Sequence, residues 1–278
     1  MPELPEVETI KTQLNKFLIG KKIKAVDINL AKLVKNITAN QFEKKIIGAT
    51  IKYLRRRAKI LIINLSNELS LAIHLKMSGQ LIYQKKHNPK NVGKHTHLIY
   101  YFADGGSLMH NDMRQFGYVK LLPTEKINKL LEIEEKLGPE PLEKKFTLEE
   151  FKKLLLNKKT ARIKPLLMDP KFIAGIGNIY SDEILFYAKV RPMRLVASLK
   201  PEETSRIYQG IKKILPEAIR YHGTSAELYV DALGKEGNYK PHLKVYGRTN
   251  QSCVGCKGKV ESLKINGRTA HFCPSCQK

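Results

Sequence analysis

The sequence predicts a chain of the α+β class, and three observations carry that reading. Short apolar runs separated by turn residues occupy residues 20–122, helical spacing dominates from 147 to 222, and all four cysteines fall in the last 26 residues. A length of 278 residues with 42% hydrophobic content is enough for two domains with separate apolar cores.

The opening stretch "MPELPEVET" starts a helix. Pro5 suits a first turn, where its missing N–H costs nothing, and Glu6 and Glu8 face the positive end of the helix dipole. Val7, Ile10, Leu14, Phe17 and Leu18 recur at helical spacing, and Gly20 is placed to end the run. Pro2 and Glu3 lie ahead of this helix and are not explained by it. Next come "AKILIINL", "LSLAIHL" and "GQLIYQ", which read as strands, and "HLIYYFADGGSLMHND", which reads as a hairpin around Asp104-Gly105-Gly106. These strands predict a β-sandwich or barrel. The proline-rich, charged "LGPEPLEKKF" reads as a linker.

Beyond it, "TLEEFKKLLL" carries a capping box in Thr147 and Glu150, and "SLKPEETSRIYQGIKKILPEAIRYHG" runs from a serine cap to a terminal glycine. The polar "TSAELYVDALGKEGNYKPHL" that follows reads as a mobile loop.

Charge narrows the function. Fifty basic against 26 acidic residues leave a net +24, which calls for a polyanionic partner, with nucleic acid ahead of an anionic membrane surface. No apolar run approaches the roughly 20 residues that span a bilayer, and glutamates stand where a signal peptide needs a basic start. The expectation is a cytoplasmic protein. Cys253, Cys256, Cys273 and Cys276, spaced C-x2-C-x16-C-x2-C, then read as four thiolates around one structural Zn²⁺, with two disulfides as the alternative. Basic residues cluster in "RRRAK" (55–59), "KKHNPKNVGKHTH" (85–97), "KKTARIK" (158–164) and the finger, which carries eight Lys and Arg against one Glu from Lys240 onward. Any one cluster is ordinary solvated surface, but four of one sign suit a duplex whose phosphates they neutralise.

Taken in order, "MPELPEVET", "RRAK", "HLKMSG", "GIGNIYSDE", "LKVYGR" and the cysteine cluster resemble the formamidopyrimidine-DNA glycosylase family, from Met1 to Lys278. The resemblance implies an N-terminal catalytic β-sandwich (1–135), a helical domain with a helix-two-turn-helix (136–240) and a zinc finger (241–278), with DNA in the cleft between the domains. It implies a monomeric glycosylase and AP lyase acting on double-stranded DNA with oxidised purines. Pro2 would be the nucleophile: freed of Met1, a secondary amine with a pKa near the roughly 8 of an α-amino group can attack C1′ and form an iminium. Glu3 would be the general acid/base. Lys59 would transfer protons in β-elimination, and Arg268 would hold phosphate and assist δ-elimination.

The same resemblance assigns DNA contacts. Met77, Arg114 and Phe116 would fill the gap left by the flipped nucleotide, Arg114 pairing with the orphaned cytosine. Asn178, His95 and Lys159 would hold further DNA groups, Lys159 lying in a run that also aligns one residue to either side. Met113 replaces the apolar residue or proline found in many members, a change that leaves the wedge intact. "TSAELYVDALG" after Gly223 departs further, in the loop that covers the flipped base.

Two rivals remain open at this level. Endonuclease VIII shares the proline chemistry but prefers oxidised pyrimidines; "MPELPE" with Arg114 and Phe116 favours the guanine branch. A non-catalytic zinc-ribbon protein would explain the charge and the finger equally well, and only Pro2, Glu3 and Lys59 argue against it.

Overall fold

The computed structural model describes residues 1–278, Glu132 by its backbone alone. The chain forms two compact units, one of 1–134 with 221–240 and one of 135–220 with 241–278.

The first unit begins with α1 (Leu4–Leu18), with Pro5 in its first turn and Gly20 just past its end at φ +83°. Its stripe of Val7, Ile10, Leu14 and Leu18 is buried in the sandwich core. The strands are β1 (Ile23–Ile28), β2 (Val34–Lys35), β3 (Ile51–Arg57), β4 (Ile60–Leu65), β5 (Leu69–His74), β6 (Gly79–Gln84), β7 (Thr96–Phe102), β8 (Ser107–Asp112) and β9 (Tyr118–Pro123). Between β2 and β3 lies α2 (Ala39–Ile46), and α3 (Ile127–Glu135) follows β9.

Among the described residues these strands make two sheets, ordered β1-β7-β8-β6 and β2-β9-β5-β4-β3. One core joins them: Leu61, Ile63, Leu71, Ile73 and Val119 from one sheet meet Leu81, Leu98, Tyr100 and Leu108 from the other. The sheet region is therefore a sandwich. On β4 the alternate residues Ile60 and Ile62 instead face Ile127 and Leu131 of α3. Burial on both faces explains why "ILIINL" reads as a nearly unbroken apolar run. Its one polar residue, Asn64, accepts from Ser70 Oγ at 2.8 Å and donates to the Tyr53 carbonyl at 3.3 Å.

Residues 221–240 fall with the sandwich rather than with the helices, so the compact units cut the chain differently from the three-part division expected above. The reason is specific bonding. The Tyr83 N–H donates to the Ala232 carbonyl at 2.8 Å, Gln13 Nε2 to Asp231 Oδ2 at 2.8 Å, and the Thr224 N–H to Glu6 Oε1 at 2.8 Å. Tyr229 and Ala232 enter the sandwich core. The loop expected to be mobile is a bonded part of that unit.

The second unit contains α4 (Leu148–Leu156), α5 (Ile163–Met168), α6 (Asn178–Ala188), α7 (Pro201–Arg220) and the hairpin strands β10 (Glu261–Ile265) and β11 (Arg268–Phe272). Thr147 caps α4 by accepting the Glu150 N–H at 3.2 Å. Two successive turns join α5 to α6, held by the Phe172 and Ile173 N–H groups donating to the Asp169 carbonyl at 3.0 and 3.1 Å. This is a helix–two-turn–helix.

Two expectations are corrected here. The stretch 137–146 is no linker: the Gly138 N–H donates to the Pro170 carbonyl at 2.8 Å, the Ala174 N–H to the Pro139 carbonyl at 3.0 Å, and Phe146 is buried against Phe151 and Tyr208. The serine cap of α7 fails as well. Pro201 sets the helix start, the Glu203 carboxylate takes the Lys200 N–H at 2.8 Å, and Ser198 ends a separate short turn.

Candidate active site

Pro2 and Glu3 are both buried, with Glu3 at the N-cap of α1. The Glu3 N–H donates to Glu6 Oε2 at 2.8 Å, and the other oxygen of Glu6 takes the Thr224 N–H. Glu6 thus ties the N-terminus to residues 221–240. Sequence reasoning gave Glu6 only a dipole-facing role; the three-residue spacing from Glu3, that of a capping box, was the available signal. Gly223 must lack a side chain here. Its φ is +82°, and a Cβ would stand 2.8 Å from Glu6 Oε1. The Met1 ammonium pairs with Glu227 at 3.1 Å.

Lys59 sits in the tight turn between β3 and β4, not on a strand. Ala58 beside it has φ +53°. Arg56 fixes this turn, its Nε donating to Glu8 Oε2 at 2.8 Å and its Nη1 to the Ala58 carbonyl at 2.9 Å. Part of the "RRRAK" cluster is therefore internal scaffolding rather than phosphate-facing surface. Burial works to raise the Glu8 pKa, but hydrogen bonds and charge from Lys11 and Arg56 outweigh it and hold the carboxyl below its ordinary value. The Lys59 and Lys76 charges also act on His74, where burial is the larger cause, and its pKa falls to about 3.

The wedge candidates occupy two turns of the same unit. Met77 lies between β5 and β6, where the Gly79 N–H bonds the Leu75 carbonyl at 2.9 Å; a Cβ on Gly79 would stand 2.5 Å from that oxygen. Arg114 and Phe116 follow β8, both exposed, with the guanidinium 4.9 Å from the ring centre. Ser78 and Asp112 join the turns. The Ser78 hydroxyl donates to Asp112 Oδ1 at 2.5 Å, the Arg114 N–H reaches Ser78 Oγ at 2.9 Å, and Asp112 Oδ2 takes the Gly117 N–H at 2.7 Å. His95 lines a cavity of about 360 Å³ with Ser78, Gln80, Asn111, Met113 and Leu228. The structure therefore brings His95 beside the segments that carry Met77 and Arg114.

In the second unit Asn178 opens α6 behind Gly177, which offers no capping side chain, and its Oδ1 is buried with no partner among the described residues. Helix N–H groups at such an end suit an anion. Lys159 is exposed after α4, its carbonyl accepting the Ala197 N–H at 3.0 Å, and it lines a cavity of about 340 Å³. Arg268 is exposed at the start of β11. The four cysteine sulfurs lie within 4.8 Å of one another, close enough to share one metal ion. Among the described residues no helix is long and apolar enough to cross a membrane.

Two family models match the β-sandwich that carries the buried Pro2-Glu3 pair and the helix–two-turn–helix, and the whole chain matches solved glycosylase–DNA complexes, which makes the class that of a DNA glycosylase of base excision repair. Residues 1–119 match the formamidopyrimidine-DNA glycosylase N-terminal domain, and residues 137–230 match the formamidopyrimidine-DNA glycosylase H2TH domain. The chain is 44% identical to the formamidopyrimidine-DNA glycosylase of Pelotomaculum thermopropionicum, over 100% of its own length and 99% of the relative's. Among solved structures it is similar to the Lactococcus lactis Fpg in complex with abasic-site DNA (TM-score 0.92, 34% identity, 99% of each chain). It is equally similar to a point mutant of that protein in complex with Fapy-dG DNA (TM-score 0.92, 34% identity, 100% of each chain). The chain belongs to the formamidopyrimidine-DNA glycosylase family.

Proposed function

We propose that this chain excises oxidised purines, 8-oxoguanine and formamidopyrimidines, from double-stranded DNA and then cleaves the strand by β,δ-elimination. The observation that carries the reading is the buried Pro2-Glu3 pair, held at the N-cap of α1 by Glu6. A binding module has no use for a proline and a carboxyl side chain buried together behind the first residue. Removal of Met1 converts the Pro2 nitrogen from an amide into a secondary amine. That amine attacks C1′ and the glycosidic bond breaks with its electrons leaving on the base; the nitrogen then loses its proton, the C1′–O4′ bond opens with its electrons on O4′, which is protonated, and an iminium links enzyme and sugar. Glu3 exchanges protons with the opening sugar, and Lys59 takes part in the proton transfer of β-elimination.

Met77, Arg114 and Phe116 fill the vacated stack, a role supported by the Ser78–Asp112 bridge that joins their two turns. His95, Lys159 and Asn178 bind the DNA, and Arg268 receives the phosphate. The metal is one structural Zn²⁺. Sulfur separations of 3.8 Å for Cys253 to Cys276 and 3.5 Å for Cys256 to Cys273 suit a tetrahedron of roughly 2.3 Å bonds, and are far from the roughly 2.05 Å of a disulfide. The Gly255 and Gly258 N–H groups donate to Cys253 and Cys256 sulfur, which favours the thiolate form that a metal needs.

Borohydride trapping tests the reading. Processed protein on a duplex with 8-oxoguanine opposite cytosine should give a covalent adduct that Pro2→Gly abolishes. No adduct from processed protein would sink the enzyme reading, and faster processing of thymine glycol than of 8-oxoguanine would sink the purine preference.

A further inference from the structure

Lys164 belongs to the run "KKTARIK" that the sequence reads as phosphate-facing surface, yet its side chain is 1% exposed. Its ammonium donates to Asp182 Oδ1 at 2.6 Å and to the Thr269 carbonyl at 3.0 Å. The other carboxylate oxygen, Asp182 Oδ2, accepts the His271 backbone N–H at 3.0 Å and lies 3.0 Å from His271 Nδ1. A side chain of α5 and a side chain of α6 thus take a carbonyl and an N–H two residues apart on one edge of β11. In a sheet those are the groups a third strand would take. The β10–β11 hairpin has two strands, an arrangement that is marginal by itself, and the buried pair completes its open edge.

Arg268 is the residue before Thr269. It pairs with Ile265 across the turn Asn266-Gly267, where φ is +48° and +74°. A cavity of about 200 Å³ between α5 and this turn is lined by Lys164, Met168, Asp169, Asn266 and Arg268. Fixing the backbone at Thr269 and His271 sets the point from which the Arg268 side chain starts.

We propose that Lys164 and Asp182 form a clasp that positions Arg268 for δ-elimination, an inference that rests on the role given to Arg268 above. In that step water takes a proton from C4′, the electrons of that C–H bond form the C4′=C5′ double bond, and the 5′ phosphate departs with the electrons of its bond to C5′. The Arg268 guanidinium forms and breaks no covalent bond; it meets the charge developing on the departing phosphate, which demands a fixed origin. Lys164 and Asp182 are positioning residues, since they act through the strand rather than on the DNA.

The test uses the full chain, processed and metal-loaded, on a duplex with an abasic site, with β and β,δ products resolved on a gel. Lys164→Met with Asp182→Leu removes both charges together and leaves no lone buried ion. The ratio of δ to β product should fall by about tenfold or more, while the trapped Pro2 adduct and the bound metal persist. Arg268→Ala sets the scale of complete loss. A wild-type ratio in the folded, metal-loaded double variant overturns the clasp and leaves the Arg268 role standing. A wild-type ratio in Arg268→Ala overturns both. If the double variant does not fold, the His271 amide of the unaltered chain decides: slow hydrogen exchange supports the clasp, and exchange as fast as at an open strand edge overturns it.

Discussion

In the sandwich, Phe42, Leu61, Leu81, Leu98 and Val119 are fully buried, and one core runs from α1 through both sheets to Ala232. In the finger the buried apolar residues are fewer and smaller: Val245, Cys253, Val260 and Cys273 form one cluster with Phe186 against it, and Leu243, Ile265, Ala270 and Phe272 are buried beside them. So small a cluster cannot offset the conformational entropy of ordering 241–278. The finger instead has four cysteine sulfurs placed to share one metal, the Lys164–Asp182 pair, and the Glu183 carboxylate, which takes the N–H groups of Lys244, Val245 and Tyr246 at 2.8, 3.0 and 2.9 Å. Burial outweighs those hydrogen bonds and raises the Glu183 pKa. Where apolar area is scarce, directional and charged bonds carry the fold.

Removing the metal should break this contrast most strongly. Structural zinc is worth about 10–16 kcal/mol in finger peptides, so a chelator should unfold residues 253–278 and abolish DNA binding. Hydrogen exchange should show fast amides in the finger and unchanged protection in β4 and β5.

Phe42→Ala is the converse. Deleting a fully buried ring from the sandwich should cost about 3–5 kcal/mol, read by denaturant unfolding, while metal content stays the same. Loss of metal from a still-folded variant would show that the two regions are not separately supported.

Acid should act on the sandwich through two buried histidines. Burial lowers the His74 pKa to about 3 and the His110 pKa to about 4; at His110 the Asp112 charge opposes that shift and His97 adds to it. Each pKa is depressed in the fold, so below about 6.5 the unfolded chain binds protons that the folded chain refuses, and stability falls as pH drops from about 6.5 toward 4. The loss should be a few kcal/mol, and His110→Leu should flatten the denaturant midpoint against pH. A midpoint constant from pH 7 to pH 4.5 in the unaltered chain would contradict it. Glu8, held below its ordinary value, adds its own loss only at lower pH.

The smallest effect belongs to the junction of α1 with residues 221–240. Gly223→Ala meets both a left-handed backbone and Glu6, and should cost about 1–2 kcal/mol, seen as a lower Tm. Adduct formation should slow with it, because Glu6 also holds the Glu3 N–H.

Much of this was legible in the residues. The apolar stripe of α1, the strands of the sandwich and the cysteine spacing follow from local periodicity and turn chemistry, which depend on near neighbours. Lys59 was legible as a residue but not as a turn residue, since the Arg56 bond to the Ala58 carbonyl and the long-range bond to Glu8 form only in the folded chain. Residues 221–240 misled because their bonds go to Glu6, Gln13 and Tyr83, more than a hundred positions away. Composition there says loop, and tertiary contact makes it part of the sandwich unit.

By itself, then, the sequence determined the strand and helix periods, the excess of positive charge, the spacing of the four cysteines and the Pro2-Glu3 pair ahead of the first helix. Only the tertiary structure decided which charges are surface and which are scaffold. Lys164 and Arg56 look like their basic neighbours when read in line. Burial gives them carboxylate partners, because a charge withdrawn from water must find one.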